Sequence, residues 1–90
     1  MNHHSYEVAF EDQALKQLAK LDKPVRMRIF RTVRELAVDP RPAGSIPLKG
    51  DTDAWRVRVG DYRVVYTVHD GRLLVLVLSV AHRREVYRDL

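Results

Sequence analysis

Hydrophobic and polar positions alternate most clearly between Trp55 and Tyr66. Trp55, Val57 and Val59 are separated by Arg56 and Arg58, the period of a half-buried strand. Gly60-Asp61 follows, a two-residue hairpin signal with glycine first. A loop of those two residues sets Val59 opposite Tyr62, Arg58 opposite Arg63 and Arg56 opposite Val65. Arg56, Arg58 and Arg63 then share one sheet face. Trp55, Val57, Val59, Tyr62, Val64 and Tyr66 share the other.

The rest of the chain supplies elements to pack against that apolar face. Tyr6 to Phe10 alternates weakly and reads as a short strand. A helix is predicted from about Asp12 to Lys20, with Ala14, Leu15, Leu18, Ala19 and Leu21 as its apolar stripe. Asp22-Lys23-Pro24 separates it from a second helix, where Asp22 suits a cap and Pro24 a first turn. That helix runs from about Pro24 to Val38. Val25, Ile29, Val33 and Leu36 form one face, with Phe30 and Ala37 beside them. Arg26, Arg28, Arg31 and Arg34 occupy other angles and read first as a solvated side, second as a nucleic-acid patch. Asp39-Pro40 stops the helix.

Arg41 to Ala54 is a long loop rich in proline, glycine and aspartate. Past the hairpin, His69-Asp70-Gly71-Arg72 reads as a tight turn with Asp-Gly at its centre. Leu73 to Ala81 is almost wholly aliphatic, the pattern of a central strand covered on both faces, or covered on one and functional on the other. Polarity returns from His82 to Leu90, enough for a turn or two of helix. The predicted order is strand, helix, helix, strand, strand, strand. It describes an α+β, two-layer domain over residues 1–90. An N-terminal strand and helical hairpin pack on an antiparallel sheet of about four strands.

Composition narrows the class. Ninety residues provide for one modest core, and 46% hydrophobic with 31% charged residues is a globular balance. The absence of cysteine excludes a disulfide framework and fits a reducing cytoplasm. No apolar run reaches the roughly 18 residues of a membrane span, and Met1 to Ser5 has no apolar signal region. The histidines at 3, 4, 69 and 82 have no metal-ligand spacing, so no metal or other cofactor is expected. A net charge of +4 points to a polyanion or an acidic protein as partner.

Charge changes the meaning of the hairpin. Like charges opposite one another on a sheet destabilise it by up to about 1 kcal/mol. Arg58 opposite Arg63 is therefore either tolerated on a solvated face or kept for an anion. Arginine suits the second role, because its planar donors match phosphate and it stays charged.

Pro47-Leu48-Lys49-Gly50, Trp55-Arg56-Val57-Arg58-Val59, Asp61-Tyr62-Arg63-Val64-Val65-Tyr66 and Ser79-Val80-Ala81-His82-Arg83-Arg84-Glu85-Val86-Tyr87 together resemble the RelE branch of the RelE/ParE toxin superfamily. The resemblance spans nearly the whole chain. It implies a toxin of a type II toxin–antitoxin system that enters the ribosomal A site and cuts the mRNA there. It also implies a site. Arg56 and Arg58 match the basic strand residues, Arg63 the arginine of the next strand, Arg83 the arginine after the last strand, and Tyr87 the C-terminal tyrosine. Lys49 matches a basic residue of the pre-strand loop. Family members often carry lysine where this chain has Arg56 and Arg58, and His82 stands where the archetype has a basic residue.

The implied reaction is attack of an RNA 2′-OH on the adjacent phosphate. Arg56, Arg58, Arg63 and Arg83 suit stabilisation of the added charge. Tyr87 is the candidate base, because surrounding guanidinium groups favour its phenolate. His82 is a further candidate acid or base, because imidazole is the side chain suited to proton transfer near neutral pH. Expected partners are a cognate antitoxin, the ribosome with mRNA in its A site, and promoter DNA only through the antitoxin complex. No membrane partner is expected. Two rivals remain at this stage: a ParE-like inhibitor of DNA gyrase that acts by binding, and a nucleic-acid-binding module without chemistry.

Overall fold

The computed structural model describes residues 5–48 and 53–84. Strand β1 (Glu7–Phe10) leads into helices α1 (Asp12–Ala19) and α2 (Lys23–Leu36). Strands β2 (Ile46–Pro47), β3 (Ala54–Val59), β4 (Tyr62–His69) and β5 (Leu74–His82) follow, with a single 3-10 turn at Asp70–Arg72 before β5. The sheet has five strands in the order β1-β5-β4-β3-β2.

The α+β, two-layer reading holds, and the sheet is larger and mixed rather than antiparallel throughout. β3, β4 and β5 form the expected antiparallel meander. β1 lies parallel to β5, with Glu7 beside Leu74 and Phe10 beside Val77. Four residues carry too little alternation to name a partner or its direction. β2 adds the fifth strand, pairing Ile46 with Arg56 and Pro47 with Trp55. Two residues are too short for a period, and proline is tolerated at a sheet edge because no ladder donor is needed there.

Both helices pack on one sheet face. Ala14, Leu18, Ile29, Val33 and Leu36 meet Val57, Val59, Val64, Tyr66, Val68, Val75, Val77 and Val80 in one core. Leu15, at an apolar position of the α1 pattern, is 48% exposed and not part of this core. With eight residues, α1 turns only a narrow strip inward, and Ala14 and Leu18 fill it. Gln17 caps the other side of β5, accepting the Val80 N–H at 2.6 Å. α2 ends at Leu36, two residues before Val38, which is 74% exposed. Asp22 stands at the N-cap position of α2 and makes no side-chain cap bond.

The His69–Arg72 segment is also different from the expected tight turn. Asp70–Arg72 is a turn of 3-10 helix, and the left-handed residue is Leu73 at φ 51°, not a glycine. Asp70 holds this segment in place. Its carboxylate accepts from both terminal nitrogens of Arg41, at 3.2 and 2.8 Å, and from the Tyr6 hydroxyl at 2.6 Å. Arg41 in turn lies 5.6 Å from the Trp55 ring centroid, a cation–π distance. The buried Tyr66 hydroxyl donates to the Pro40 carbonyl at 2.7 Å. These bonds fix the Pro40–Arg41 part of the loop that runs from α2 towards β2.

Candidate functional site

The β3–β4 hairpin has the register its two-residue loop dictates: Val59 opposite Tyr62, Arg58 opposite Arg63, Arg56 opposite Val65. Gly60 has φ 61° while Asp61 has no positive φ, the order of a glycine-first turn. Val57, Val59, Val64 and Tyr66 are buried beneath the helices. Pleating therefore sends Arg56, Arg58 and Arg63 to the opposite face.

The turn gathers these cations. Arg58 donates from Nε to the Gly60 carbonyl at 3.3 Å. Arg63 donates from one terminal nitrogen to the Tyr62 carbonyl at 3.3 Å and reaches the Gly60 carbonyl at 3.5 Å. The backbone N–H of Arg83, just past β5, donates to the Asp61 carbonyl at 2.7 Å. The end of the last strand is thus tied to the same turn that holds two of the arginines.

A groove of about 710 Å³ opens there. Arg28, Arg56, Arg58 and Arg63 line it, with Ala43 and Gly44 from the loop before β2 and Ile46 of β2. Among the described residues no carboxylate lines it. Among the described residues the ion pair found is Arg41 with Asp70, so none of the four groove arginines is paired with a described acid. Four guanidinium groups around one concavity repel one another, and an anion seated among them relieves that repulsion. Phosphodiester groups fit, being anionic and matched to arginine's forked donors.

The residues marked in the sequence fall into three groups. Arg56, Arg58 and Arg63 come together in the groove. Arg83 is exposed and anchored by its backbone at the hairpin turn. His82 pairs with Tyr62, one position off the Arg63 row and so on the helix side. Its ring meets the Tyr62 ring edge-on at 5.4 Å, and its Nδ1 accepts the Arg84 N–H at 3.3 Å. Lys49 and Tyr87 lie outside the described residues. Among the described residues no group of three or more His, Asp or Glu side chains could hold a metal ion.

Arg28 is the residue that sequence reasoning set aside as solvated. Phe30 of α2 packs edge-on against Phe10 of β1, ring centroids 5.9 Å apart. That contact turns one flank of α2 towards β1 and the other, carrying Arg28, towards the hairpin. A wheel of α2 separates the two flanks but cannot say which one borders the arginine strand.

Residues 8–87 match the model of the family described as ParE toxin of type II toxin-antitoxin system, parDE. The chain belongs to the RelE/ParE family of toxins. Among its relatives is the mRNA interferase toxin RelE of Escherichia coli K12, 33% identical over 94% of this chain and 93% of that one. The toxin's fold is also that of solved RelE structures. The archaeal RelE–RelB complex from Pyrococcus horikoshii contains a chain that matches with a TM-score of 0.79 and 31% identity, covering 88% of this toxin and 96% of that chain. The intact Escherichia coli RelBE toxin–antitoxin complex matches with a TM-score of 0.76 and 32% identity over 87% of this toxin and 96% of that chain.

Proposed function

We propose that this toxin is an mRNA endoribonuclease that acts in the ribosomal A site in the cytoplasm and is restrained by a cognate antitoxin. The observation that carries the reading is the groove that Arg56, Arg58 and Arg63 line together, with no carboxylate among its described lining residues and with Arg58 and Arg63 held at one hairpin turn. The printed name of the Escherichia coli relative, mRNA interferase toxin, supports the same substrate.

In this reading the 2′-oxygen of one nucleotide attacks the adjacent phosphorus. The bond from phosphorus to the 5′-oxygen breaks, leaving a 2′,3′-cyclic phosphate and a free 5′-hydroxyl. The five-coordinate phosphorane carries more negative charge than the starting diester. Arg56, Arg58 and Arg63 stabilise that charge from fixed positions, the largest single contribution a site of this kind makes. Arg83 adds a further positive group beside the phosphorane and is not a proton donor. Tyr87 takes the 2′-OH proton and the leaving 5′-oxygen takes its proton from water; His82, beside Tyr62 on the helix side of the sheet, stands on the face opposite Arg56, Arg58 and Arg63 and takes no part in either transfer. Lys49 binds the message beside the cut. The ribosome supplies in-line geometry, and orientation of this kind replaces the strong acid–base pair of a free ribonuclease.

The complexes of RelE relatives with RelB support an antitoxin partner here. An acidic or amphipathic antitoxin segment would neutralise the groove, and promoter DNA would be reached through that complex. The reading is tested by cleavage of mRNA on programmed ribosomes, with cut positions and end chemistry mapped. Wild type cuts; Arg63→Ala and Tyr87→Phe lose most of the rate, about a hundredfold or more for the arginine. Full activity in both variants would overturn the assignment. Gyrase-dependent DNA breakage without mRNA cutting would replace it with the ParE-like alternative.

A further inference from the structure

We infer that Arg28 binds the phosphate next to the scissile one, so that the message is held across the edge of the sheet and not on its open face alone. The inference rests on the mRNA reading above. Three observations carry it. First, Arg28 comes from the helical layer yet lines the same groove as Arg56, Arg58 and Arg63. Second, β2 pairs with Trp55 and Arg56, and among the described residues none pairs with the outer edge of β3 at Arg58. The groove can therefore pass around that edge from the arginine face to the helix side. Third, Arg28 sits against the turn itself: a Cβ built on Gly60 would lie 3.6 Å from one of its terminal nitrogens.

Arg58 and Arg63 are tethered to the Gly60 carbonyl. Arg28 has no hydrogen bond or ion pair among the described residues, and it is exposed. Its fork of donors is therefore available to an anion. Two sets of guanidinium groups, reached from two layers of the fold, match successive phosphates of a single strand better than one phosphate. Arg28 is in these terms a positioning residue: it fixes register along the message while the face arginines meet the reacting phosphorus.

The test pairs Arg28→Ala with messages carrying one neutral methylphosphonate at either linkage flanking the cut, on programmed ribosomes. Arg28→Ala raises KM about fivefold, more than it lowers kcat, and Arg28→Lys recovers part of the loss. One of the two methylphosphonates raises KM for wild type by a similar factor and adds nothing further in Arg28→Ala, because both changes remove the same contact. Thermal melts of both variants match wild type, since the side chain is exposed. Additive losses at both linkages, or an unchanged KM, would overturn the inference while leaving mRNA cleavage intact. Failure of wild type to cut any ribosome-bound message would instead remove the reading on which it rests.

Discussion

Asp70 shows how one side chain can organise three segments. It accepts from Arg41 and from Tyr6, and these bonds hold its pKa down from 3.8 to about 2. The same contact raises the Tyr6 phenol, whose hydroxyl donates to the carboxylate. Because the folded carboxyl is the stronger acid, its contribution to stability is complete above the unfolded value near 3.9. It is lost as pH falls through about 2. Carbon-13 NMR titration of the Asp70 carboxyl in wild type is expected to give a midpoint near 2, moving up towards 3.8 in Arg41→Ala. An unmoved midpoint would show that Arg41 is not the dominant partner. Trp55, the only tryptophan in the chain, reports the same event through its fluorescence, since Arg41 lies over its ring.

At the scale of elements, the β3–β4 hairpin is both core and site. Its inward residues lie under the helices, and its outward residues are the arginines. The turn carries the arrangement, because Gly60 at φ 61° supplies the carbonyl that Arg58 and Arg63 approach. A Cβ there would meet Arg28 at no closer than 3.6 Å, ordinary contact, so the demand for glycine comes from the backbone and not from space. Gly60→Ala is expected to cost about 1–2 kcal/mol in urea unfolding. Its loss of mRNA cleavage should exceed what that destabilisation explains, since the carbonyl that orients two arginines moves with the strained turn. Cleavage measured well below the unfolding midpoint, at wild-type rate, would contradict this.

Over the whole molecule, a charge of +4 is distributed unevenly. The Arg41–Asp70 pair neutralises itself at one end, while at the other no described carboxylate lines the groove beside the arginines. Association with an acidic antitoxin segment should therefore be steered by charge. Raising salt from 50 to 200 mM is expected to lower the association rate several-fold while changing the dissociation rate less. Stopped-flow mixing of toxin with antitoxin measures both rates. An association rate indifferent to salt would place the antitoxin away from the groove.

The sequence alone determined the elements whose cause is local. Alternation set the faces of β3 and β4, Gly60-Asp61 set their register, and helical spacing picked out Ala14, Leu18, Ile29, Val33 and Leu36 as core. Arg56, Arg58 and Arg63 were legible as one face because a strand has period two and a two-residue turn leaves no other pairing. Tertiary structure decided what depends on contacts between distant segments. The parallel pairing of β1 with β5, the two-residue β2 and the exposure of Leu15 carry no signal in their own windows. The same holds for Arg28: its place in the groove depends on which flank of α2 faces the hairpin, and the packing of Phe30 on Phe10 settles that. Local periodicity fixes a side chain's angle about its own axis, while its neighbours across the fold are chosen by how the layers bury their apolar faces together.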